Sequence, residues 1–102
     1  MVYNYQILQL KDIPENHGYF FMSLDTLDRF GLEFDINRYK VVFCDTIDTD
    51  CLNIHEFLES MFTKFNINHP KDFKGHSLSV SDVVYINDGY WFCDDFGWKK
   101  IK

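Results

Sequence analysis

From Asp82 onward the chain runs through an apolar stretch, reverses at Asn87-Asp88-Gly89, and returns through aromatic residues to Phe96-Gly97-Trp98. An Asn-Asp-Gly turn between β-branched and aromatic runs demands a tight β-hairpin, because its residues tolerate the positive backbone angles that a short reversal requires. The spacing therefore predicts strands over Asp82 to Ile86 and Tyr90 to Asp94, with a last strand around Trp98 to Ile101. An antiparallel sheet must then bury one apolar face, and the rest of the chain has to supply the cover.

The cover is legible upstream. Ile54, Phe57, Leu58, Met61, Phe62 and Phe65 recur at helical spacing, and His55, Glu56, Glu59, Ser60, Thr63 and Lys64 fill the other side. Asn53 stands where a cap is needed, with Glu56 three residues on in a capping-box arrangement. Full burial of six such side chains is worth on the order of 10 kcal/mol, an upper bound because unfolded chains are already partly collapsed. A shorter helix is expected over Ser23 to Phe30, from its serine cap, the spacing of Leu24, Leu27 and Phe30, and the glycine at position 31. Val2 to Leu10 alternates as a strand, with Tyr3, Tyr5, Ile7 and Gln9 on one side; Tyr39 to Cys44 is a second strand, followed by an acidic loop through Asp45, Asp48 and Asp50. The expected fold is α+β: one domain over residues 1–102, a small, mainly antiparallel sheet packed on a helix at about 53–65, a short helix at about 23–30 beside it, and a C-terminal hairpin or meander.

Composition narrows the class further. With 46% apolar residues and eleven phenylalanines in 102 residues, the chain has material for one dense core. No run reaches membrane-spanning length and the first residues lack a basic, cleavable leader, so a soluble, cytoplasmic protein is expected. Cys44, Cys51 and Cys93 form an odd set without Cys-x-x-Cys spacing, which predicts buried free thiols in a reducing compartment.

Residues 1–68 carry five basic and eleven acidic side chains, whereas residues 69–102 carry five of each, so the whole net charge of −6 lies in the first two-thirds. Within it, Asp45, Asp48, Asp50, Glu56 and Glu59 have no Lys or Arg among them. Such a field repels nucleic acid and attracts basic protein surfaces. Direct nucleic-acid binding is disfavoured, since only Lys99, Lys100 and Lys102 begin to offer a cationic footprint. A solvated acidic face that merely aids solubility is the competing reading.

Motifs for chemistry fail on spacing. His76, Ser77 and Asp82 are the residue types of a hydrolytic triad, yet the serine directly follows its histidine and no glycine elbow presents it. Hydrogen bonds from Ser79, Ser81 and Asp82 to nearby backbone are expected instead, fixing the approach to the hairpin. His17, His55, His69 and His76 meet no zinc template with the cysteines, and Asp45 to Asp50 lacks the glycine of a calcium loop, with Ile47 interrupting its 1-3-5 ligand pattern. Tyr85, Tyr90, Trp91, Phe92, Phe96 and Trp98 are assigned to cross-strand packing ahead of base stacking. No catalytic residue, metal or cofactor is nominated, and the chain is expected not to be an enzyme.

Several stretches together carry a family resemblance: Tyr5-Gln6-Ile7-Leu8-Gln9-Leu10-Lys11, Phe21-Met22-Ser23-Leu24-Asp25, Tyr39 with Val41-Val42, Phe65 to Pro70, Asp72 to Val84, and Cys93-Asp94-Asp95-Phe96-Gly97-Trp98. With these the chain resembles the YodL-like domain of bacterial phages and conjugative elements, over most of its length and most strongly at residues 65–98. The resemblance implies a mobile-element origin and, by itself, neither an activity nor a cofactor. Phe43 to Asn53 is more acidic than that pattern, which points to a specialised role. The expected function is inhibition of a host defence nuclease by protein contact, as an anti-CRISPR factor against a Cas9-type nuclease or as an anti-restriction factor, through Asp45, Asp48, Asp50, Glu56 and Glu59 in the bacterial cytoplasm. The alternative is a non-catalytic accessory domain of DNA-mobility machinery that binds DNA or a relaxase.

Overall fold

The computed structural model describes residues 2–50, 53–67, 73, 75, 78–87 and 89–101. Strands β1 (Val2–Leu10), β2 (Tyr39–Asp48), β3 (Val83–Ile86), β4 (Gly89–Asp94) and β5 (Gly97–Lys100) form one antiparallel sheet in the order β2-β1-β3-β4-β5. The helices are α1 (Leu24–Arg29) and α2 (Ile54–Ile67), with single 3-10 turns at Pro14–Asn16 and Ile36–Arg38. The α+β expectation holds, and the N-terminal strand turns out to be interior to the sheet.

Local signals behave as read. Ser23 Oγ accepts from the Thr26 amide at 3.1 Å to cap α1, Gly31 takes a positive φ of 69° after it, and Asn53 Oδ1 accepts from the Glu56 amide at 2.8 Å to start α2. At the hairpin, Ile86 pairs with Gly89, and Asn87 has a φ of 43°. Asp88, between them, lies outside the described residues, as do Cys51, His69, His76, Ser77 and Lys102.

Alternation along β1 sends Tyr3, Tyr5 and Ile7 to the α2 side, where they meet Phe43, Phe57, Leu58, Met61, Phe65, Val84, Cys93 and Trp98. Phe57 stacks on Tyr3 with ring centroids 4.3 Å apart and meets Tyr5 edge-on at 5.7 Å. Leu8 and Leu10 point the other way, into a second cluster with Tyr39, Val83 and Phe92 that Tyr19, Phe20, Leu24, Phe34 and Ile36 cover. The short helix therefore lies on the opposite face from α2 and not beside it, because β1 is apolar on both sides at its C-terminal end and needs cover there.

Four expectations change. Strand β2 runs to Asp48, so Asp45 and Asp48 belong to an edge strand paired with Tyr5 and Val2, and the loop begins later. The long partner β1 keeps offering ladder hydrogen bonds, and carboxylates suit an edge that must not recruit another strand. Phe62 is 37% exposed on the flank of α2, and Phe30 is 67% exposed because α1 ends at Arg29, before its spiral reaches that residue. Cys44 is exposed, since it lies opposite Gln6 on β2, on the part of the sheet face left open; only Cys93 of the described cysteines is buried.

Candidate functional site

Asp45, Asp48, Asp50, Glu56 and Glu59 are all exposed. Asp45 and Asp48 are three residues apart on β2, so the period of two turns them to opposite sides of the sheet. Asp45 accepts from the Thr46 amide at 2.8 Å and borders a depression with Asn4, Gln6, Cys44, Thr46 and Tyr85. Glu56 and Glu59 lie in the first half of α2, and Glu59 leans over the β4–β5 turn with Phe62, Val80, Cys93, Asp94, Asp95, Gly97 and Trp98 around it. The five carboxylates thus share one stretch of the sequence but divide between the β2 edge, the segment after it and the α2 flank.

The serine-rich approach to β3 is a buried hydrogen-bonded knot. Asp82, 1% exposed, accepts at Oδ2 from the Ser79 amide at 2.9 Å and from Gln9 Nε2 at 3.2 Å. Ser81 sits at a φ of 86°, a conformation that L-residues avoid, and is held there from three sides. Its amide donates to the Cys93 carbonyl at 2.9 Å, its Oγ accepts from the Phe21 amide at 3.2 Å, and its carbonyl accepts from the Tyr39 hydroxyl. Burial first, and the nearby Asp82 carboxylate second, push the Tyr39 phenol above its ordinary range. Gly75 packs so closely on Gln9 that a β-carbon there would collide with Oε1. The expectation of structural hydrogen bonds from Ser79, Ser81 and Asp82 is met at Ser81 and Asp82.

A second buried carboxylate ties α1 to the hairpin. Asp94 Oδ1 accepts from the Leu24 amide at 3.2 Å and the Asp95 amide at 3.0 Å, while Oδ2 lies 3.6 Å from Lys99 Nζ. Burial first, then the carboxylates of Asp82, Glu59 and Asp94, push the neighbouring Cys93 thiol up to about 12, so it stays protonated and a poor nucleophile. Among the described residues, no group of three or more His, Cys, Asp or Glu side chains is placed to hold a metal ion. The aromatic residues do not form one platform: Tyr85, Tyr90 and Phe92 face the α1 side, whereas Trp91 and Trp98 face α2, with His55 edge-on to Trp91 at 5.2 Å.

A family model for the YodL-like domain matches residues 4–102, which includes both buried knots and all five carboxylates. The chain belongs to the YodL-like domain family. It is 29% identical over 96 residues to a protein of Acanthamoeba polyphaga mimivirus described as uncharacterized protein R785, covering 82% of this chain and 88% of that relative. No solved structure matches the chain. No helix among the described residues is long and apolar enough to cross a membrane.

In this YodL-like domain the residue that sequence reasoning gave no role is Asp95, which the β4–β5 turn brings with Trp98 under Glu59, whereas Phe96, expected to pack across strands, stands out in solvent. Gly97 at a φ of 83° closes that turn and leaves Phe96 91% exposed. The Asp-Asp-Phe-Gly-Trp run carries a turn signal, but nothing in it announces that a helix nearly forty residues upstream will lie across it.

Proposed function

We propose that this YodL-like domain is a small acidic protein of a mobile genetic element that binds a basic, nucleic-acid-handling protein, a host defence nuclease of Cas9 or restriction type, and inhibits it by contact without catalysis. One observation carries the reading: the side chains exposed between positions 45 and 59 include five carboxylates and no Lys or Arg, while the Ser/Asp motif that resembles chemistry is spent on internal hydrogen bonds. A nuclease channel lined with Lys and Arg is the complementary surface.

Changing Asp48, Asp50, Glu56 and Glu59 together to Lys tests it, with circular dichroism to check folding and cleavage by a Cas9-type or restriction nuclease as the readout. The expected result is inhibition by the wild type and its loss in the folded variant; equal inhibition by both would remove this surface from the mechanism. Lys99 and Lys100, exposed on the edge strand β5, favour the second reading, an accessory domain of DNA-mobility machinery. Salt-sensitive retention of plasmid DNA in place of a nuclease would select it.

A further inference from the structure

Between the flank of α2 and the β4–β5 turn lies a notch of about 200 Å³ whose buried floor is Cys93, Asp94 and Trp98 and whose exposed rim is Glu59, Phe62 and Asp95. Small-molecule pockets typically run to about 300–1,000 Å³, so this one is sized for a single long side chain. We propose that the notch receives one arginine side chain of a basic partner protein, its guanidinium held between the aromatic wall of Phe62 and Trp98 and the carboxylates of Glu59 and Asp95. The inference rests on the reading of the chain as a binder of basic protein and names the contact.

Three observations select that occupant. Asp94 is already matched by Lys99 and by two backbone amides, which leaves Glu59 and Asp95 to face an incoming cation. Cys93, buried on the floor, is surrounded by the carboxylates of Asp82, Glu59 and Asp94, a negative field in which a partner cation gains. Phe96, 91% exposed beside Asp95, has no packing duty in the fold and offers the apolar contact that surrounds a buried charge at an interface. Arginine fits better than lysine, because a planar guanidinium stacks on rings and forks to carboxylates, whereas an ammonium does neither.

Titrating ¹⁵N-labelled protein with N-acetyl-arginine amide tests the notch directly. The expected result is saturable shifts confined to the Trp98 indole N–H and the amides of Glu59, Asp95 and Gly97, and a roughly tenfold weakening in Glu59→Gln/Asp95→Asn, equivalent to about 1.4 kcal/mol. Both substitutions are at exposed positions, and the unshifted remainder of the spectrum verifies the fold. Equal shifts with the citrulline analogue, unchanged binding in the double variant, or no saturable shift would overturn the proposal. Arginine bound at the notch while no nuclease is inhibited would keep the notch and remove the nuclease reading. Inhibition with a silent notch would do the reverse.

Discussion

Replacing Phe57 with alanine should be far more damaging than the same change at Phe62, although the two look alike in the α2 pattern. Phe57 has no exposed surface and its ring is held by Tyr3 at 4.3 Å and Tyr5 at 5.7 Å; Phe62 is 37% exposed and rests on the rim of a notch open to water. Truncating a buried phenylalanine costs about 3–5 kcal/mol through lost transfer energy and the cavity left behind. The two ring pairs, each worth about 0.5–1.5 kcal/mol beyond area, place Phe57→Ala in the upper part of that range. At Phe62 water already reaches the ring and fills the space it vacates, so a loss below about 1.5 kcal/mol is expected. For a domain near 100 residues, each 1 kcal/mol moves Tm by about 4–8 °C, so Phe57→Ala should lower it by roughly 16 °C or more. Urea unfolding followed by circular dichroism, with equal slopes for the three proteins, measures the difference. Equal destabilisation by the two variants would refute the assignment of Phe57 as the centre of the core.

Gly75→Ala should cost about 1–3 kcal/mol by urea unfolding, since the new β-carbon meets Gln9 Oε1 and displacing that side chain disturbs its buried hydrogen bond to Asp82. Asp82→Ala should cost about 2–5 kcal/mol, because it deprives the buried Gln9 Nε2 and Ser79 amide donors of their shared acceptor, and thermal melts should show Asp82→Asn retaining part of that loss. The Cys93 thiol, raised to about 12 in the native state, holds its proton where an unfolded thiol has lost it. The native state then binds more protons, so its stability is complete below the unfolded value of about 8.5 and declines by up to roughly 1.4 kcal/mol per pH unit above it. Cys93→Ala should flatten that alkaline decline, and in the native protein at pH 8 a thiol reagent should label Cys44 and spare Cys93.

What the sequence by itself determined is what a few neighbouring residues can encode. The caps at Ser23 and Asn53, the turn at Asn87 to Gly89 and the faces of β1 and α2 follow from hydrogen bonds and periodicities that close within one or two turns of chain, so they could be read without the fold. The acidic bias between Asp45 and Glu59 was equally plain, because charge is a property of composition. Only the tertiary structure decided where those elements meet. β1 became interior because β2 and β3 pair with its two edges, and its two buried faces placed α2 on one side of the sheet and α1 on the other. The bulge at Val42, between the pairs of Ile7 with Phe43 and Leu8 with Val41, sets Val42 and Phe43 both against the α2 core, and no local signal marks it. The notch likewise joins Glu59 to Trp98, and the knot joins Gln9 to Asp82, across separations where pairing depends on the free energy of the whole packed domain and not on the preference of any segment.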